Sequence, residues 1–155
     1  MKIKVGVIYG GETVEHEVSI ISAIQAINKI DQEKYDIIPI YITKDREWYT
    51  GDMLKDIEVY SDISLIKKYG KNVVLYEKDG SFILQNKKFP KNVITDIDIA
   101  FPIMHGTDGE DGVIQGYLQA IGSPFVGGDV DASVVGQDKV FMKDIKEKEK
   151  LPMTK

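Results

Sequence analysis

Apolar positions along this chain alternate between short continuous runs and spaced stripes, the pattern of strands and helices taken in turn. Val5 to Tyr9 is an apolar run, Gly10-Gly11 follows it, and Ile20, Ile21, Ile24 and Ile27 then recur at helical spacing. The spacing predicts a strand, a glycine turn and an amphipathic helix from about His16 to Lys29 packed on a sheet, with Ser22, Gln25 and Asn28 off the stripe. Tyr35 to Thr43, nearly continuous in Ile and Tyr, predicts a second strand buried on both faces in a parallel sheet, closing a βαβ unit. Pro39 has no N–H to give a central ladder, so an edge position or a bulge is expected there.

Between Lys44 and Lys91 the pattern is more broken. It predicts a turn over Asp45 to Trp48, a short helix over Ser61 to Tyr69, and a hairpin of Val73–Tyr76 and Phe82–Gln85 around Asp79-Gly80, together an insertion lying over the sheet. Trp48-Tyr49, beside a strand end, is read as packing rather than as a binding surface. Ile97 to Ile103 predicts another buried strand. Gly112 to Ile121 carries Val113, Ile114, Tyr117, Leu118 and Ile121 on one helical face, with Gly122 and Pro124 as the stop. Phe125 to Gly127 is expected as a short strand, and Asp129 to Lys150 as one or two helices broken at Gly136. The fold class is α/β: a three-layer, Rossmann-like, mostly parallel sheet with flanking helices.

Composition narrows the function. At 155 residues and 43% hydrophobic, the chain suits one domain with a substantial core. A net charge of -5, with 20 basic residues dispersed among 25 acidic ones, leaves no concentrated basic face, so neither nucleic acid nor an anionic membrane is expected as partner. The expected ligand is small. The absence of cysteine excludes disulfides and thiolate metal sites. With no signal peptide and no apolar run of membrane-spanning length, it points to the cytoplasm.

Two segments carry candidate chemistry. In Gly10-Gly11-Glu12-Thr13-Val14-Glu15-His16-Glu17-Val18-Ser19, adjacent glycines allow close approach of a ligand, and the first amides of the following helix are unpaired donors with partial positive charge. Glu15 and Glu17 add acceptors suited to an ammonium, so a ligand with both an amine and a carboxylate fits. The competing reading is that the two acids only complement the helix dipole, at roughly 0.3 to 1 kcal/mol each. The second segment, His105-Gly106-Thr107-Asp108-Gly109-Glu110-Asp111-Gly112, follows a strand and precedes a helix, where open α/β sheets collect ligands. His105, Asp108, Glu110 and Asp111 include metal-ligand types, but one histidine and no thiolate make a metal site the lesser reading. His105 has no cysteine partner and no serine stands in a nucleophile elbow, so it is expected to bind or orient rather than attack. Neither a P-loop nor a Gly-x-Gly-x-x-Gly fingerprint is present.

Together the two segments resemble the D-alanine:D-alanine ligases of bacterial cell-wall synthesis. The first resembles the family's strand-Gly-Gly-x-Ser-x-Glu-x-Glu-Val-Ser opening, with Thr13 in place of serine. The second matches His-Gly-x-x-Gly-Glu-Asp-Gly-x-x-Gln-Gly at every fixed position from His105 to Gly116. Ala132-Ser133 and Asp138-Lys139 resemble later family pairs. The resemblance implies a pre-ATP-grasp type N-terminal domain over residues 1–150, with 151–155 beginning a linker to an absent ATP-grasp central domain. It also implies ATP-dependent ligation through an acyl phosphate, with Mg2+ or Mn2+, to make D-alanyl-D-alanine for peptidoglycan synthesis. Catalytic roles would fall to Glu15, His105 and Glu110. Glu15 would hold the ammonium of the first D-alanine, Val18 would contact its side chain, Ser19 would support the network, and His105 would meet the carboxylate side with Glu110 hydrogen-bonded nearby. Lys139 would reach the ATP phosphates, and no metal ligand is expected in this chain. Homodimers through this domain are implied, and the chain alone is expected to be an inactive fragment. D-alanine:D-lactate or D-alanine:D-serine ligases, and a non-catalytic binding module, remain as alternatives.

Overall fold

The computed structural model describes residues 2–152, so residues 153–155 of the expected linker lie outside the described residues. The elements are β1 (Ile3–Gly10), α1 (His16–Ile27), β2 (Tyr35–Ile42), β3 (Trp48–Thr50), two 3-10 turns (Asp52–Lys55 and Ile57–Ser61), α2 (Ile63–Tyr69), β4 (Lys71–Lys78), β5 (Ser81–Asn86), β6 (Val93–Ile97), β7 (Ile99–Pro102), α3 (Val113–Ala120), α4 (Val130–Gln137) and α5 (Lys139–Lys148). The strands form a single seven-stranded sheet in the order β6-β5-β4-β3-β2-β1-β7.

The sheet is α/β with flanking helices, as expected, but it is mixed rather than mostly parallel. β1 pairs in parallel with β2 and β7, whereas β2–β3, β3–β4, β4–β5 and β5–β6 are antiparallel. The expected insertion over the sheet therefore extends the sheet itself. Its hairpin turns at Asp79 and Gly80, both at positive φ, the conformation that matches the strand twist of a two-residue turn.

The expected strand Ile97–Ile103 is two strands, broken at Asp98. β6 and β7 occupy opposite edges of the sheet yet are joined by that one residue, so the sheet curls until its β6 edge reaches β1. The Asp98 N–H donates to the Lys4 carbonyl at 2.8 Å, and the Lys4 N–H donates to the Asp98 carboxylate at 2.7 Å. Gly6 makes room for this curl, since a Cβ there would lie 2.8 Å from Ile97 Cδ1.

Pro39 sits within β2 between two partners, in register with Val7. The Pro39 carbonyl accepts from Thr50 Oγ1 at 2.7 Å, so its nitrogen faces the β3 side, just beyond Thr50, where β3 ends. The short neighbour, rather than an edge or bulge, removes the conflict.

One apolar cluster packs Val7, Tyr9 and Tyr41 against Ile20, Ala23 and Ile24 of α1, and a second packs Ile8, Ile40 and Leu75 against Ile114 and Leu118 of α3. Tyr49 is buried in the first cluster, as the packing reading expects, while the Trp48 ring meets Tyr117 edge-on at 5.7 Å and also lines a cavity, so that reading covers Tyr49 but only part of Trp48. Phe125 forms only an isolated parallel bridge to Ala100. The C-terminal helices divide at Asp138 rather than Gly136, because the Asp138 carboxylate accepts from the Val140 and Phe141 amides at 2.9 and 3.0 Å and so begins α5.

Candidate functional site

β1 and β7 are parallel neighbours, so the loops that follow them leave the same end of the sheet side by side. Their approach is close. A Cβ on Gly106 would lie 2.5 Å from Thr13 Oγ1 and 3.8 Å from the Glu15 Cβ. The glycine turn and the second loop, ninety residues apart in sequence, thus frame one crevice.

Gly10 and Gly11 both take positive φ, and the Gly11 N–H donates to the Ile42 carbonyl at 2.8 Å. Ser19, fully buried on α1, locks this turn to the other strand: it accepts from the Gly10 N–H at 2.9 Å and donates to the Ile103 carbonyl at 2.7 Å. Ser19→Ala strands an amide and a carbonyl together, and is expected to destabilise the chain by about 1–3 kcal/mol. The measurement is urea unfolding, with a lower midpoint at unchanged slope.

The turn carries three acids, and their partners differ. Glu12 pairs with Arg46 at 2.8 Å, and Glu17 pairs with Lys44 at 2.7 Å. The Lys44 ammonium holds the Glu17 carboxyl below the usual carboxylate range. Glu15, the residue that opens α1, gives its carboxylate no hydrogen bond or ion pair among the described residues, and it is exposed. Of the three, Glu15 alone keeps its carboxylate unpaired among the described residues. Val18 lies one turn on and is 50% exposed, so it stands at the surface rather than in the core.

In the second loop each candidate ligand side chain is committed elsewhere. His105 Nε2 meets Ser22 Oγ at 3.1 Å, and its Nδ1 stands 3.5 Å from Glu110 Oε1. Ser22, read from sequence only as off-stripe, is thereby an orienting partner of His105. Glu110 Oε2 accepts from the Gly106 N–H at 3.1 Å, and Asp108 faces Arg46 at 3.4 Å. Asp111 accepts from the Asp108 amide at 2.9 Å and the Val113 amide at 3.2 Å, which closes the loop and starts α3. Acids that each hold a different partner do not converge, and among the described residues no three His, Cys, Asp or Glu side chains could hold a metal ion.

A cavity of about 400 Å³ lies on the α3 side of the crevice, lined by Gly11, Trp48, Met104, Asp108 and Tyr117. Another of about 450 Å³ lies between the second loop and α4, lined by Gly109, Glu110 and Ser133. Neither is lined by Glu15 or His105. Lys139 is exposed at the start of α5 and makes no hydrogen bond or ion pair among the described residues, so it is not drawn into the Glu15–His105 grouping.

Crevice formation has a direct test. Gly106→Ala adds a Cβ against Thr13 Oγ1 at a φ of +73. Because that crowding needs the Thr13 hydroxyl, Thr13→Ala is expected to relieve part of the loss. A double-mutant cycle by chemical unfolding should show coupling of about 0.5–3 kcal/mol; additive losses would separate the two loops.

His16 carries no chemical signal of its own in the sequence, although it occupies the buried stripe of α1 four residues before Ile20. It is 3% exposed, with Nδ1 2.6 Å from the Gly11 carbonyl oxygen and Nε2 2.9 Å from the Tyr41 hydroxyl.

Comparison with known proteins places this geometry. The family described as D-ala D-ala ligase N-terminus matches residues 4–128. The D-alanine--D-alanine ligase of Thermosipho melanesiensis is 38% identical over 148 residues, which is 95% of this chain and 40% of that protein. A solved D-alanine-D-alanine ligase from Coxiella burnetii superposes with a TM-score of 0.87 at 31% identity, over 99% of this chain and 43% of that one. The VanG D-Ala:D-Ser ligase of Enterococcus faecalis gives a TM-score of 0.80 at 30% identity, over 100% of this chain and 44% of that one. The chain thus spans about two fifths of the length of the curated relatives it matches. A sheet that brings the Glu15 turn against the His105 loop, and a family match that runs from β1 through both of them, lead to one conclusion: the chain belongs to the D-ala D-ala ligase N-terminus family.

Proposed function

We propose that residues 1–150 form the first-substrate domain of an ATP-dependent ligase that joins two D-alanines into D-alanyl-D-alanine for peptidoglycan, with 151–155 leading into a linker. The observation that carries this reading is that Glu15, whose Cβ approaches Gly106, has no partner for its carboxylate among the described residues, where the other acids of the turn are already paired. Glu15 takes the ammonium of the first D-alanine, a charge-assisted bond strengthened once the crevice is closed to water. Val18 lies against the methyl group, and Ser19 keeps the turn in place. His105, oriented by Ser22 and Glu110, faces the carboxylate side.

ATP and a divalent cation belong to the whole ligase in this reading. With no metal-ligand grouping among the described residues and Lys139 standing alone at the head of α5, this chain's own part is substrate capture. Lys139 is assigned to the phosphates only through its family pairing with Asp138. A homodimer and a cytoplasmic location complete the proposal; among the described residues no helix is long and apolar enough to cross a membrane.

The likeness to the VanG D-Ala:D-Ser ligase keeps one second reading, in which the acceptor is D-serine or D-lactate rather than a second D-alanine. D-alanine-dependent phosphate release, with each of the three acceptors, separates these readings. Release by the full-length ligase, and none by residues 1–155 alone, is the expected result; D-alanine bound by the 155-residue chain with no release from the full-length protein would make it a binding module.

A further inference from the structure

None of the roles above uses His16, although its ring is enclosed and both of its nitrogens are engaged. The Gly11 carbonyl can only accept, so Nδ1 carries the ring proton and donates to it at 2.6 Å. Nε2 then accepts from the Tyr41 hydroxyl at 2.9 Å. Burial holds Tyr41 well above the usual phenol range, so that hydroxyl remains a donor. Tyr41 is itself fixed by the rings of Tyr9 and Tyr60, whose centroids lie 5.8 and 5.2 Å away.

The consequence reaches Glu15. Gly11 to His16 form a hoop: the Gly11 carbonyl also accepts from the Thr13 N–H at 3.1 Å, and the Thr13 carbonyl accepts from the His16 N–H at 3.3 Å. Thr13 Oγ1 accepts from the Glu15 N–H at 3.2 Å. Glu15 rides on this hoop with its own carboxylate untethered. A ring that served only to fill space would need neither polar contact, and an apolar residue would do as well.

We infer that His16 is a positioning residue, which through the Gly11 carbonyl and the Tyr41 hydroxyl sets where the Glu15 carboxylate stands for a substrate ammonium. This rests on the ammonium role proposed for Glu15. The Gly11 carbonyl keeps its Thr13 partner when His16 is replaced, so the loss falls on the geometry of the turn.

Nitrogen-15 NMR of the 155-residue chain carrying His105→Asn, which leaves one imidazole, should show His16 protonated at Nδ1 and bare at Nε2. The opposite tautomer overturns the inference. In the full-length ligase, His16→Leu is expected to raise the KM for the first D-alanine about tenfold with kcat within about twofold, and His16→Asn, which keeps a donor near Nδ1, to recover most of the loss. Equal KM values for wild type, Leu and Asn variants overturn it. Should His16→Leu fail to fold, Tyr41→Phe carries the test: it removes one hydroxyl from an otherwise intact ring cluster, and a KM unchanged from wild type rejects the role. Glu15→Gln measured alongside separates the two failures. If it too leaves KM unchanged, the ammonium reading is lost; if it alone raises KM, only the positioning by His16 is.

Discussion

Glu15→Gln, in the full-length ligase proposed above, is expected to raise the KM for the first D-alanine sharply, with a loss of about 2 kcal/mol, roughly 30-fold in kcat/KM. Removing one partner of a desolvated charge pair costs roughly 2 to 5 kcal/mol, and the lower end applies because Glu15 is exposed in this domain and depends on the rest of the site to exclude water. Glu17→Gln is the control of matched chemistry. Its carboxylate already belongs to Lys44 at 2.7 Å, so it should leave KM near the wild-type value. Steady-state kinetics with D-alanine varied decide the matter, and a Glu15→Gln enzyme with unaltered KM would remove Glu15 from the ammonium role.

The largest effect on stability is expected from Gly10→Ala. Gly10 sits at φ +94, and a Cβ there would lie 2.1 Å from the Ile42 carbonyl oxygen, which is backbone and already accepts from Gly11. Neither atom can move without opening the end of the β1–β2 ladder, where the Ser19 link also attaches. Left-handed strain and an unrelieved clash together should cost about 3 kcal/mol or more. For a chain of this size that lowers Tm by about 6–12 °C. Gly80→Ala provides the comparison: its φ is +81 with nothing within 4 Å, so it should show only the conformational part, about 1–2 kcal/mol. Thermal unfolding of both variants measures the difference, and equal losses would mean that the Ile42 carbonyl yields freely.

Much of the site is legible before any fold is known. The Gly10-Gly11 turn and the His105–Gly112 loop announce themselves by residue type, because only glycine takes these φ values cheaply and because a strand end is where ligands gather. What the residue types leave open is which acid is free. Glu12, Glu15 and Glu17 are chemically alike in sequence; their difference comes from Arg46 and Lys44, which the β2–β3 connection carries up to the turn. His16 and Ser22 are silent in the sequence for a related reason. Each sits on α1 with no chemical motif of its own, and each acquires a partner only when Tyr41 or His105 is folded against the helix.

The same division runs through the fold. Local periodicity is enough for β1, α1, β2, the β4–β5 hairpin and α3, since each shows its buried face to a near neighbour and a local pattern records that face. Pairing partners are another matter. The antiparallel extension through β3, the break of one apolar run at Asp98 and the curl that carries β6 round to β1 depend on hydrogen bonds between residues far apart, such as Asp98 to Lys4. By itself the sequence determined an α/β domain with two glycine loops and residue types suited to a ligand with an amine and a carboxylate. Only the tertiary structure decided that those loops touch at Gly106 and that Glu15 is left without a partner among the described residues, because contacts and charge pairing arise where distant segments meet.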